Sequence, residues 1–175
     1  MINIIYQTNK GKIIEGNSIE LLDNEMKEEL RGKVNLIITS PPFPLNNKKQ
    51  YGNEKGDEYL KWFIDMAPIF SDLLAEDGSL VIEIGNSWEP ERPVQSLLHL
   101  ECLFGLVKHP DAKLRLIQEF ICYNPSKLPS PAQWVTVNRL RTVDSYTHVW
   151  WIAKSDLPKA DNSKVLRPYS KSMQE

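Results

Sequence analysis

The stretch "KVNLIITSPPFPLNNKKQYGN", residues 33–53, decides the fold class. Its first part, Lys33 to Ser40, is a strand with Leu36, Ile37 and Ile38 apolar on both faces. Strands of that kind belong to parallel sheets covered on both sides. The strand then meets Pro41-Pro42, which can neither extend a ladder nor enter a helix. A polar loop follows, over residues 44–56.

Outward from that corner, strands and helices alternate. Upstream, "KIIEGNSIELL" predicts a short strand at Lys12–Glu15 and a turn at Gly16-Asn17-Ser18. Ser18 is placed to cap a helix running to Leu30. Downstream, Leu60, Phe63, Ile64, Ala67 and Phe70 recur at helical spacing between Asp57 and Leu74. Pro68 predicts a kink or break in that helix. "AEDGSLVIEIG" reads as a turn and a strand over Ser79–Ile84, and "PVQSLLHLECLFGLV" as a helix with Pro93 in its first turn. "LRLIQEFICYN" and "HVWWIAK" read as two closing strands, the second with its partner near "WVTVN". The pattern is α/β: a layered sheet, mostly parallel, with an antiparallel edge strand. Ligands bind such sheets beyond the carboxyl ends of the strands. Gly16-Asn17-Ser18, Ser40-Pro41-Pro42-Phe43 and Gly85-Asn86-Ser87-Trp88 all fall at such ends, so one shared site is expected.

Composition narrows the class. The chain has 175 residues, 41% hydrophobic and 25% charged, enough for one core. It contains no apolar run of membrane-spanning length and no secretory pattern at its start, so a cytoplasmic protein is expected. Cys102 and Cys122 sit among apolar neighbours and read as reduced core thiols. His99, His109 and His148 fit no metal-ligand spacing, and His148 has a minor claim on a ligand pocket. Trp88 and Trp134 read as packing residues. The net charge of −2 gives no global nucleic-acid signature. Residues 127–143 hold Lys127, Arg139 and Arg141 and no acid. Arg139 and Arg141, sharing one face of a possible strand, are candidates for phosphate contact or for an ordinary solvated face.

Ser40-Pro41-Pro42-Phe43 makes a rigid rim: carbonyls fixed by the prolines, one hydroxyl, and one flat apolar ring. A planar heterocycle with an exocyclic amine suits it, the amine donating to the oxygens while the ring stacks on Phe43. A plain Pro-Pro turn is the competing reading.

These segments together resemble the amino-methyltransferases, which modify DNA at cytosine N4 or adenine N6 with S-adenosylmethionine. Their motif is (Asp/Asn/Ser)-Pro-Pro-(Tyr/Phe/Trp), with Ser typical of the cytosine-N4 enzymes. "KIIEGNSIELL" is similar to their cofactor-adenine segment, usually Gly-Asp-Ser-Leu-Glu. "KKQYGNEKGDEYLKWF", "DGSLVIEIGNSW" and "YNPSKLPSPAQWVTVNRLRTVDSYTHVWWIAKS" resemble stretches of type II restriction-modification methyltransferases. The resemblance covers about residues 12 to 173.

It implies a Rossmann-like methyltransferase sheet and a residue-by-residue set of roles. Ser40 and the Pro41 carbonyl accept hydrogen bonds from the target amine, Pro42 holds the loop, and Phe43 stacks on a flipped cytosine. Asn17, where the family usually has Asp, bonds the cofactor's adenine amine, with Ser18 beside it. Lys48, Lys49, Arg139 and Arg141 are candidate DNA contacts. One family element has no counterpart: the glycine-rich Phe-x-Gly-x-Gly strand for the cofactor's methionine part, since no Gly-x-Gly occurs in the chain. In members with the catalytic motif near the N-terminus, that strand and the target-recognition region come later. The resemblance therefore implies the N-terminal half of a permuted enzyme, with residues 1–155 its catalytic half and 156–175 a polar tail leading toward the recognition region. The sheet is then incomplete without the cofactor half. Its exposed strand edges invite a complementary polypeptide or a second copy. An adenine-N6 enzyme and a catalytically silent interaction or DNA-binding remnant are the competing functions.

Overall fold

The computed structural model describes residues 2–43 and 56–173. An antiparallel hairpin opens the chain, β1 (Asn3–Gln7) on β2 (Lys12–Glu15). Only its second strand is apparent in the sequence pattern. A three-part helical segment follows: α1 (Ser18–Glu20), a π-helical turn (Leu21–Glu25) and α2 (Lys27–Leu30). Asn17, not Ser18, is its cap. Asn17 Oδ1 accepts from the Ile19 and Glu20 amides at 3.1 and 3.5 Å. Its amide donates to Glu20 Oε1 at 3.2 Å, a reciprocal lock on the first turn.

The main sheet holds β3 (Val34–Thr39), β4 (Leu74–Gly85), β5 (Arg115–Tyr123) and β6 (Tyr146–Ala153), in the order β3-β4-β6-β5. β3 and β4 pair in parallel, while β6 runs antiparallel to both β4 and β5. Three strands thus share one direction. The antiparallel strand expected at the edge stands one place in from it. The partners of β6 are β4 and β5, because "WVTVN" is not a strand: Gln133–Val137 is a π-helical turn. β4 is also longer than its apolar run. The Glu76-Asp77-Gly78 stretch expected as a turn lies inside it as an irregularity, the β3 register jumping from Val34↔Leu74 to Leu36↔Ser79.

Helix α3 (Gly56–Leu73) runs through Pro68 without the predicted break. Helix α4 is confined to Leu98–Val107, so Pro93 precedes it by more than a turn. There the chain instead forms a bridge, Gln95 pairing with Trp88. The two helices pack closely because Gly105 offers no side chain to Ile64, whose atoms occupy the place of a Cβ.

Strand alternation assigns the two faces of the sheet. Leu80, Ile82 and Ile84 of β4, with Trp150 and Ile152 of β6, point into the core and are fully buried. Against them pack Tyr59, Phe63 and Phe70 of α3 and Cys102 and Leu106 of α4. The other face carries Leu36 and Ile38 of β3, Val81 of β4, Val149 and Trp151 of β6 and Phe120 of β5. Leu36 is 52% and Ile38 70% exposed. The sequence predicts burial on both sides of β3. Among the described residues it has a core on one side and no strand on its outer edge.

Candidate active site at the strand ends

The proline corner stands at the carboxyl end of β3. Ser40 is exposed, Pro41 buried and Phe43 half-buried. The corner is anchored from α3: the Tyr59 hydroxyl donates to the Pro42 carbonyl at 2.7 Å. Tyr59 is buried, and burial pushes its phenol well above the ordinary range, so it stays a donor. Ser40 Oγ makes no hydrogen bond among the described residues and remains available to a ligand.

Phe43 reaches across to the end of β4. A Cβ on Gly85 would lie 2.7 Å from Phe43 Cδ2, so only glycine lets the ring settle there. Phe43 and Gly85 line a cavity of about 380 Å³, together with Asn86, Ser87, Trp88 and Tyr146 among others. Its volume lies within the range of small-molecule sites, about 300–1,000 Å³. The antiparallel course of β6 brings its first residues to this rim, since Gly85 pairs with Thr147 and Tyr123 with Tyr146. The cavity therefore lies beyond the carboxyl ends of β4 and β5 and the amino end of β6. A larger cleft of about 1,050 Å³ lies elsewhere, bordered by Asp23, Lys27, Arg31 and Asp72. It is a bed of ion pairs, Arg31 to Asp72 at 2.9 Å and Lys27 to Asp23 at 2.9 Å, with no aromatic wall.

Behind the cavity is a polar chain. Gln95 Nε2 donates to Asn86 Oδ1 at 3.2 Å, and His148 Nε2 meets the same oxygen at 2.9 Å. His148 Nδ1 lies 2.6 Å from Glu119 Oε1. Both ring nitrogens face acceptors, so both bonds form together only on the doubly protonated ring. His99 stacks on His148 with centroids 4.7 Å apart. Burial, and then the charge of His148, lowers the His99 pKa below its ordinary value.

Three expectations about the site need correction. Asn17-Ser18 does not join this cavity: it ends a strand of the separate hairpin, and Asn17 Oδ1 serves as a helix cap. Arg139 and Arg141 do not share a strand face. Arg139 takes a positive φ of 55°, and Arg141 turns inward, donating to the Pro93 carbonyl at 2.9 Å. The Arg141 guanidinium sits 3.6 Å above the Trp88 ring. Cys122, expected in the core, is exposed, whereas Cys102 is buried. Lys48 and Lys49 lie outside the described residues. Among the described residues no cluster of metal-ligating side chains occurs, and no helix is long and apolar enough to cross a membrane.

A search for anchors in the sequence passes over Tyr59, since its contact depends on the tertiary fold. Asn86 and Ser87 carry a weak signal, two polar residues directly after an apolar strand.

Comparison with known proteins places this architecture. The type II methyltransferase M.PvuII of Proteus hauseri is 38% identical over 168 residues. That alignment spans 96% of this chain and 48% of the relative, so the chain spans about half the length of the curated protein it matches. The solved PvuII DNA methyltransferase, described as cytosine-N4-specific, superposes with a TM-score of 0.81 at 35% identity, covering 94% of this chain and 56% of that one. A candidate DNA modification methylase of Thermus thermophilus, in complex with S-adenosyl-L-methionine, shares the fold at 17% identity. Its TM-score is 0.54, over 91% of this chain and 56% of that one. The family model for DNA methylases matches residues 34–175. Strand order, proline corner and these matches agree: the chain belongs to the DNA methylase family.

Proposed function

We propose that this chain is the catalytic half of a DNA methyltransferase that methylates the N4 amine of a flipped cytosine. The observation that carries the reading is the Ser40-Pro41-Pro42-Phe43 corner at the end of β3, with Phe43 walling a cavity of base size. The N4 lone pair of cytosine is conjugated into its ring, which makes the amine a poor nucleophile. Acceptors at Ser40 Oγ and the Pro41 carbonyl draw on its hydrogens and favour a pyramidal nitrogen, the form that takes up a methyl group. Phe43 and the cavity hold the ring flat and in register. S-adenosylmethionine supplies the methyl group.

The residues present do not complete a site for that cofactor. The sequence has no Gly-x-Gly, and the acceptor of Asn17 is engaged by two backbone amides. The methionine part is seated by a complementary polypeptide, with Ser18 at the adenine end and Asn17 capping the helix beside it. The same polypeptide pairs with the open edge of β3 and covers Leu36 and Ile38. Burying the exposed part of each of those side chains stabilises by about 1–2 kcal/mol. A second copy of the chain is the competing cover for this face. Lys48, Lys49 and Arg139 are the proposed DNA contacts, and the action of the assembled enzyme is cytoplasmic.

The test is methyl transfer from labelled S-adenosylmethionine to DNA, by the chain alone and with a polypeptide carrying the glycine-rich strand, followed by nucleoside analysis. N4-methylcytosine only in the mixture is the expected result, and Ser40→Ala cuts it about 100-fold. N6-methyladenine as the product establishes the adenine-specific reading. No transfer in any mixture leaves a silent interaction module.

A further inference from the structure

The six orphaned polar side-chain atoms of the described residues are not scattered. Three of them, Asn86 Nδ2, Ser87 Oγ and Asp144 Oδ2, belong to residues that line the cavity beside Phe43. None is open to bulk water and none has a hydrogen-bond partner. Ser87 is only 5% exposed. Buried polar groups in folded proteins are almost always satisfied, so three unsatisfied ones on residues that line a single cavity point to a polar guest that draws these side chains toward it on binding.

The network behind the cavity fixes what Asn86 offers. Its Oδ1 is used twice, by Gln95 Nε2 at 3.2 Å and by His148 Nε2 at 2.9 Å. Glu119 holds the far side of the His148 ring at 2.6 Å. With the His148 ring doubly protonated both contacts fall on Oδ1, and the NH2 is the free end. The next residue, Ser87, adds a hydroxyl that can donate. Asp144 adds a carboxylate oxygen that can only accept when ionised.

Two neighbouring donors complement the two acceptors on the Watson–Crick edge of cytosine. That edge presents O2 and N3 as acceptors and N4 as a donor. Adenine presents N1 as an acceptor and N6 as a donor, with a C–H where cytosine has O2. An adenine in this cavity leaves one of the two donors without a partner, and a site built to hydrogen-bond a group discriminates strongly against a ligand that lacks it.

We infer that Asn86 and Ser87 are the specificity-determining residues that select cytosine over adenine as the target base. Asn86 and Ser87 donate to N3 and O2, which leaves both amine hydrogens to Ser40 Oγ and the Pro41 carbonyl. The inference rests on the cavity being the base pocket of the proposed methyltransferase. It adds the residues that read the base to those that flank the reacting nitrogen.

The test needs neither cofactor nor partner. The full ¹⁵N-labelled chain is titrated with 2′-deoxycytidine, 2′-deoxyadenosine and 3-deaza-2′-deoxycytidine, which has a C–H in place of N3. The expected result is movement of the Asn86 side-chain amide and the Ser87 backbone resonances with deoxycytidine. Binding is then about tenfold or more tighter than for either competitor. Asn86→Asp, which turns the free donor into an acceptor, and Ser87→Ala each abolish the preference, while the rest of the amide spectrum confirms the fold. Equal binding of the two natural nucleosides at Phe43 and Gly85 overturns the readout and leaves the base pocket standing. Preference for deoxyadenosine overturns it in favour of an adenine target. No shift around Phe43 or Gly85 with any nucleoside at saturating concentration overturns the readout together with the base pocket itself.

Discussion

The Tyr59 hydroxyl holds the Pro42 carbonyl at 2.7 Å, tying the first turns of α3 to the corner that ends β3. Two prolines stiffen a loop, but they do not place it relative to the sheet. The phenol does, from a side chain packed against Trp62 and Phe63 with centroids 5.5 and 6.1 Å away. Tyr59→Phe keeps that packing and removes the tether. The expected cost is about 1 kcal/mol in a denaturant melt, the net worth of one hydrogen bond. Methyl transfer by the complemented enzyme falls tenfold or more, because a small displacement of the acceptors misaligns the reacting nitrogen. Unchanged transfer shows that the prolines alone position the corner.

Gly85 admits the Phe43 ring. Gly85→Ala puts a methyl group 2.7 Å from Phe43 Cδ2 and drives the ring off the strand end. Overpacking of this kind costs about 1–3 kcal/mol. Binding of deoxycytidine weakens in the same variant, read by the titration described above. A variant that binds normally shows that Phe43 is not the wall on which the base rests.

The proline corner and the alternation of strands and helices are legible because each rests on local chemistry: fixed φ at Pro41 and Pro42, and hydrophobic period in β3, β4 and α3. The boundaries that failed depend on distant partners. Pro68 sits inside α3 because the helix is held by its apolar face, with Phe63, Met66, Ala67 and Phe70 buried on either side of it. Pairing sets Leu74–Gly85 as a single strand across a stretch whose local signals, Asp77 and Gly78, favour a turn. The run "WVTVN" alternates like a strand, yet both sides of β6, its expected partner, are taken by β4 and β5. At the site, Ser40 and Phe43 are readable from a motif. The Asn86–His148–Glu119 chain is not, because its members lie 29 and 62 residues apart and meet only through the register of β4, β6 and β5.

Arg141 illustrates the same limit, and its role can be measured. Its guanidinium lies over Trp88 and donates to Pro93, clasping the 88–95 segment beside the cavity. Arg141→Ala is expected to lower stability by about 1–2 kcal/mol, with most of the loss persisting in high salt. A residue held for phosphate contact behaves differently: its loss leaves the melt unchanged and lowers the salt slope of DNA binding by about one.

The two cysteines should separate cleanly in reactivity. Burial, with the neighbouring Glu101 carboxylate, pushes the Cys102 thiol up to about 12, whereas Cys122 is exposed at the cavity rim. The thiolate is the reactive form, so one thiol per native chain reacts quickly with a disulfide reagent and the second only after unfolding. Cys122→Ser removes the fast phase. A fast phase that survives in that variant shows that the α3–α4 layer over Cys102 opens readily.

His99 gives the fold a pH dependence with a defined sign. The ring is buried, stacked on His148, and flanked by the carboxylates of Glu119 and Asp144; the balance lowers its folded pKa below the ordinary value of 6.5. Between the folded and unfolded values the unfolded chain binds more protons, so stability rises with pH in that window. The contribution is fully present above about pH 6.5. It is lost as the pH falls through the folded value, where His99 must take a proton in its buried site. Denaturant melts at pH 7.5 and 5.5 measure the difference for the wild-type chain and for His99→Gln, which cannot take up that proton. A smaller difference in the variant is expected. An equal difference assigns the acid sensitivity to other groups.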